Sequence, residues 1–249
     1  MIELRVFLDG DRLSEALACA IAERLAMGVR AHGSSSIALS GGRTPRALYD
    51  RLAHDHRKDI PWAHVHIFWS DERYVPPEDE RSNYRMAREA LLRHVPVPAA
   101  NVHRMPTEPA DPRDAATAYE GVLRAHFGSP WPRFDLVLLG LGDDGHTASI
   151  FPGSPALDEA ERWVVAVTGP LEPRVRLTLT LPAITHATAI DVIVSGSSKA
   201  EPLRQALADD PDPWHCPASA VRRTDGALVW WADAAAATHV RPSANGPGC

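Results

Sequence analysis

Residues 140–152, Gly-Leu-Gly-Asp-Asp-Gly-His-Thr-Ala-Ser-Ile-Phe-Pro, set one imidazole, His146, behind two carboxylates in a glycine-rich frame. Imidazole changes charge near neutrality, so placed beside a carboxylate it suits general acid-base chemistry. An apolar run at 136–139 precedes the segment, too short for a helix and composed as a buried strand. Gly140, Gly142 and Gly145 make left-handed dihedrals available for a sharp turn. His146 then stands at the carboxyl end of a central strand, where ligands bind in open α/β sheets, and it is the candidate catalytic base. With 12 histidines in the chain, most of them expected to pack or face water, position and not residue type singles it out.

A second candidate lies at Ser40-Gly41-Gly42-Arg43-Thr44-Pro45, after a short apolar strand at 37–39. Thr44 suits an N-cap and Pro45 a first helical position. Strand, glycine turn and helix start leave backbone N–H groups free to hold a phosphate, although an ordinary tight turn has the same composition. Neither a GxGxxG fingerprint nor a P-loop is present. Asp71 and Arg73, two apart after the strand at 65–69, share a side of an extended segment and can face one cleft. With Glu72 they can equally form a solvated charge cluster. Lys199 follows the turn Ser195-Gly196-Ser197-Ser198 at the start of a helix expected over 200–207. A cation there opposes the helix dipole unless an anion compensates, which hints at a phosphate contact, the alternative being an exposed loop lysine. His64 and His66 share a strand face but lack a third ligand nearby, so they are read as structural and no metal site is expected.

The elements that position these residues alternate along the chain. A strand spans 2–8; a helix capped by Asp11 carries the stripe Leu13, Leu17, Ile21 and Leu25, with Gly28 and Gly33 at its exit. Further helices are expected from Ser82, with Met86, Ala90 and Leu91 inward, and over 114–127, with Ala115, Tyr119, Val122 and Phe127 inward. Beyond Pro155 the pattern turns towards β: 163–167, then a strictly alternating and half-exposed strand over 176–181, then 190–194 and 228–231. Alternating strands and helices define one α/β class, and no linker or repeat divides the chain.

At 249 residues and 45% hydrophobic, the chain can bury a sizeable core as one domain. A formal net charge of -6 excludes a global basic field for nucleic acid or anionic membrane, so an anionic substrate needs a local positive pocket. Cys19, Cys216 and Cys249 are widely spaced and without a CxxC pair, which suggests reduced thiols. No apolar run reaches about 18 residues and the amino terminus has no signal-peptide core, so a soluble cytoplasmic protein is expected.

Five segments, 40–42, 71–73, 140–152, 176–182 and 196–199, together resemble the 6-phosphogluconolactonases in order and spacing, over nearly the whole chain to about Ala236. The most specific is Gly142-Asp143-Asp144-Gly145-His146-Thr147-Ala148-Ser149-Ile150-Phe151-Pro152. The resemblance implies a Rossmann-like three-layer αβα sandwich with a mostly parallel central sheet, as in sugar-phosphate isomerases. The chain is read as a single domain over 1–240, and the composition of 241–249 leads us to expect a disordered tail. The implied activity is hydrolysis of 6-phospho-D-glucono-1,5-lactone to 6-phosphogluconate, with no metal and no organic cofactor. The implied partner is a phosphorylated sugar lactone, bound by a monomer or weak dimer. Residue by residue, the catalytic histidine falls on His146 with Asp144 beside it, and substrate contacts fall on Gly41, Gly42, Asp71, Arg73, Arg176 and Lys199. Lys199 and Arg176 are expected to hold the 6-phosphate. Arg43 departs from the pattern, many family members having Ser there. Glucosamine-6-phosphate deaminase is the alternative enzyme on this fold, though its pattern carries Asn-Glu-Pro where this chain has Ser149-Ile150-Phe151-Pro152. A non-catalytic sugar-phosphate sensor is the alternative of another class.

Overall fold

Uninterrupted apolar runs become buried strands and amphipathic runs become the helices that cover them. The computed structural model describes residues 2–128 and 130–240; the expected tail at 241–249 and Cys249 lie outside the described residues. In chain order the strands are β1 (Ile2–Phe7), β2 (Ser35–Leu39), β3 (Val65–Trp69), β4 (Asp71–Arg73), β5 (Leu136–Gly140), β6 (Val164–Thr168), β7 (Val175–Leu179), β8 (Ala189–Val194) and β9 (Ala227–Asp233). The α-helices are α1 (Gly10–His32), α2 (Arg43–His54), α3 (Asn83–Ala87), α4 (Pro112–Phe127), α5 (Leu181–Thr185) and α6 (Ala200–Ala206). Six strands form one wholly parallel sheet in the order β1-β9-β8-β5-β2-β3. This is the α/β class with a parallel central sheet that the sequence implied. β2 and β8 are buried along their full length, as parallel strands covered on both faces must be. β1, at the sheet edge, keeps Ile2 and Val6 partly exposed, and Leu8 falls outside it.

Several local expectations are corrected. Asp9, not Asp11, caps α1 by accepting from the Arg12 N–H, and Gly33, in the left-handed region, ends it. Gly28 is interior to that helix. Gly42, not Thr44, caps α2, so the helix starts two residues earlier than its composition suggested. The helix from Ser82 is one short α segment continued by a π-helical stretch at Arg88–Leu92. Asp111 caps α4, and Val122 lies exposed while Glu120 is buried. The strand at 176–181 is not half-exposed: Leu177, Thr178 and Leu179 are all fully buried.

The larger departure is a second, antiparallel sheet in the order β4-β7-β6. β4 follows β3 after only Ser70, whose N–H donates to the Leu39 carbonyl and whose carbonyl accepts from the Leu179 N–H. The small sheet is thereby anchored at the carboxyl end of the large one. One core cluster runs from Leu13 in α1 through β2, β3, β5, β8 and β9 to Ala237.

Candidate active site

β2, β5 and β8 are neighbours, so their carboxyl ends bring three loops together. From β2 the sheet grows outward to β3 and from β5 to β8 and β9, which makes the boundary between β2 and β5 the topological switch point where such sheets bind ligands. The glycine turn after β2 and the His146 loop after β5 both lie there, with the Ser40 hydroxyl close against Gly140.

The His146 loop is built by close approach more than by left-handed glycines. Only Gly145 among its three glycines has positive φ, 83°. Gly142 is needed for space: a Cβ there would lie 2.0 Å from His146 Nδ1 and 2.6 Å from an Asp144 carboxylate oxygen. Ala148 adopts φ 47° without being glycine, a strained position held by the Ile150 N–H donating to the Thr147 carbonyl at 2.9 Å. Asp144 Oδ1 lies 2.5 Å from His146 Nδ1 and also accepts from the His146 backbone N–H at 3.1 Å. Burial pushes the Asp144 carboxyl up, but the hydrogen bond and charge of His146 outweigh it and hold the acid below its ordinary range. An ionised Asp144 only accepts, so it selects the tautomer protonated on Nδ1 and leaves the Nε2 lone pair as the basic one. The ring is about one-third exposed, with Phe151 4.8 Å away, centroid to centroid.

The small sheet supplies the cationic side. In the β4–β7 ladder Arg73 stands directly opposite Arg176. Their guanidinium hydrogen bonds go to backbone carbonyls: Arg73 Nη1 donates to Arg81 O at 2.6 Å and Arg176 Nε to Pro173 O at 3.0 Å. Burial, then the Arg73 charge, pushes the Arg176 guanidinium below its ordinary value. Two arginines paired across the ladder, without a carboxylate ion pair among the described residues, can share one anion. Phe151 neighbours both Arg176, 5.8 Å from its ring, and the base.

Asp71 and Glu72 are buried, which overturns the solvated-cluster alternative for both. Asp71 accepts from Ser149 Oγ at 2.6 Å and from Asn83 Nδ2 at 3.3 Å. Glu72 accepts from the backbone N–H groups of Arg73, Asn83 and Tyr84, yet burial pushes its carboxyl up to about 7. Gly41 is explained by Asn83, whose Oδ1 would lie 1.9 Å from a Cβ at that position. That Oδ1 is buried and without a hydrogen-bond partner. Gly42, at φ 110°, starts α2 with no side-chain cap, so its first N–H groups face the switch point uncapped by a side chain.

Lys199 reaches the same loop cluster, but with a counterion already present. Its Nζ lies 2.6 Å from Asp143 Oδ1, which also accepts from Ser198 Oγ at 2.9 Å. The Lys199 contact holds the Asp143 acid below its ordinary range. The compensating anion that a lysine at a helix start requires is thus a carboxylate of the His146 loop. A cleft of about 780 Å³ borders the site at Asp144 and Phe151 and is walled further on by Arg174 and Val167. His146, Lys199, Arg73 and Arg176 are outside its lining, so the loop ends and not this void define the centre.

Sequence reading missed Asn83, Ser149, Phe151 and Asp143 as parts of the site. Ser149, Phe151 and Asp143 lay inside the quoted motif, where proximity to His146 was a usable signal; Asn83 had none.

Residues 8–230 match the family described as glucosamine-6-phosphate isomerases/6-phosphogluconolactonase, and the chain belongs to that family. Within it, the chain is 42% identical over 233 residues to the 6-phosphogluconolactonase of Synechocystis sp., covering 92% of this chain and 94% of that protein. It is 42% identical over 241 residues to the 6-phosphogluconolactonase of Mycobacterium tuberculosis, covering 94% and 97%. The structure of 6-phosphogluconolactonase from Trypanosoma brucei superposes with TM-score 0.84 at 30% identity, over 97% of this chain and 99% of that one. A monomeric glucosamine-6-phosphate deaminase superposes with TM-score 0.81 over 95% and 99% but at 21% identity, a likeness of fold alone.

Proposed function

We propose that this chain hydrolyses 6-phospho-D-glucono-1,5-lactone to 6-phosphogluconate, with His146 as general base. The observation that carries the reading is the Asp144–His146 pair at the carboxyl end of β5, in a chain 42% identical to named lactonases. A δ-lactone is an activated ester, so a positioned water and a base are sufficient. Neutral His146 takes a proton from water on Nε2 as the oxygen attacks C1. Asp144 holds the ring and stabilises the imidazolium that forms. The imidazolium then returns the proton to the ring oxygen as the C1–O bond breaks, so atoms and charge balance. Charge developing on the carbonyl oxygen is met by the uncapped N–H groups at the start of α2.

The 6-phosphate is held chiefly by Arg73 and Arg176, with Lys199 contributing less because Asp143 already partners it. This refines the expectation that Lys199 and Arg176 share the task. In this reading Asp71, held by Ser149 and Asn83, also accepts from a sugar hydroxyl. The same reading takes 1–240 as one catalytic domain, supported by the single core cluster. It also makes the protein cytoplasmic and a monomer or weak dimer, with no nucleic-acid partner, in keeping with its net charge of -6. Among the described residues no helix is long and apolar enough to cross a membrane.

The test is hydrolysis of freshly generated lactone by the purified chain, corrected for spontaneous opening, beside an assay of ammonia release from glucosamine 6-phosphate. Lactone turnover without ammonia is expected; the reverse result overturns the assignment.

A further inference from the structure

We infer that His66, His103 and His126 form a binding site for one zinc-class divalent transition metal ion, at the amino end of the parallel sheet and away from the proposed reaction centre. One ring nitrogen from each lies within 4.8 Å of the other two, and His66 Nδ1 is 3.1 Å from His103 Nε2. The three come from segments far apart in sequence. His66 is the second residue of β3. His103 follows Val102, which bridges to Ile67, and its backbone N–H donates to the Ile67 carbonyl at 2.8 Å. His126 sits in the last turn of α4. Phe68 backs the cluster, its ring 4.5 Å from His103 and 5.1 Å from His126. Such backing fixes ring positions without supplying a polar partner.

Two tetrahedral metal–nitrogen bonds of about 2.0–2.1 Å place their nitrogens roughly 3.3 Å apart. The 3.1 Å pair is close to that spacing, and rotation of the third ring closes the remainder. Metal and proton compete for the same lone pairs, and here protonation is disfavoured. Burial, then the neighbouring imidazoles, pushes His103 down to about 4, and burial also lowers His66 and His126. Each neutral ring carries a single proton, which moves to its other nitrogen when an ion binds, so nothing need be expelled from the protein. An all-imidazole set suits zinc, nickel, cobalt or copper over calcium or magnesium, and three protein ligands leave one position for water. All three rings are partly exposed. A cleft of about 350 Å³ lined by His126, Ser36 and Asp135 offers an entry path. The Asp135 carboxylate, whose charge acts on His126, is itself fixed by the Ser36 N–H and hydroxyl.

A bound ion would brace β3, the 99–103 segment and α4, so its expected consequence is stability and not catalysis. The decisive measurement is cobalt(II) titration of the EDTA-stripped full chain, followed by the visible absorption of four-coordinate cobalt and by zinc displacement. One saturable equivalent is expected, with affinity falling at least about tenfold in His103→Asn and in His126→Gln and lactone turnover unchanged in both. Should either variant fail to fold, anomalous diffraction from zinc-soaked wild-type crystals decides, with a peak expected between the three rings. Absence of saturable binding up to millimolar metal, variants that bind like wild type, or a peak elsewhere overturns the site.

Discussion

Histidine is used in two opposed ways at the two ends of one parallel sheet. At the carboxyl end a single ring, His146, is pinned by a carboxylate through Nδ1. At the amino end three rings face each other with no carboxylate hydrogen bond among them, and burial keeps them uncharged. The two clusters differ in what faces the ring nitrogens: a carboxylate on Nδ1 suits His146 to carrying a proton, whereas neutral imidazoles turned towards one another offer lone pairs to a shared ion.

The comparison breaks most directly at the ring itself. His146→Ala should lower kcat for lactone hydrolysis by about 10² to 10⁴, whereas His126→Ala should leave kcat unchanged; equal losses in steady-state assays would abolish the distinction. Asp144→Asn tests the pin, since an amide can no longer impose the tautomer. Turnover should fall by roughly 10² with little change in KM, and retained wild-type turnover would show the ring to be oriented by packing on Phe151 alone.

Two further predictions sharpen the contrast. Arg176→Ala should raise KM by about 10-fold to 100-fold, as expected of a charge-assisted contact of roughly 1.5 to 3 kcal/mol. Lys199→Ala should raise it less, because Asp143 already neutralises that amine. The opposite ranking in saturation curves would move the phosphate to the β8 loop. At the amino end the expected effect is on stability. The folded pKa of His103 is depressed from 6.5 to about 4, so its contribution is present above pH 6.5 and is lost as pH falls through 4. Solvent screening of a half-buried ring limits the loss to about 1 kcal/mol. Denaturant midpoints should therefore drop over that window in metal-free wild type and drop less in His103→Gln.

What was legible in the sequence was short-range. Apolar runs marked β2, β5 and β8, the stripe Leu13, Leu17, Ile21 and Leu25 marked the buried side of α1, and the 140–152 motif put His146 after a central strand. These follow from side-chain period and turn chemistry within a few residues, which sequence states directly. The role of Gly142 was misread because the demand on it is steric and comes from a side chain folding back, not from its own dihedrals.

Only the tertiary structure decided which distant groups meet. Arg73 faces Arg176 because β4 and β7 pair antiparallel across about 100 intervening residues, and a register of that kind is not written in either strand alone. Gly41 yields to Asn83, Lys199 finds Asp143, and His66 leaves His64 for His103 and His126, all through contacts between separate segments. Local periodicity determines the elements. Packing of one core, with the burial it imposes on each charge, determines which of their side chains become a site.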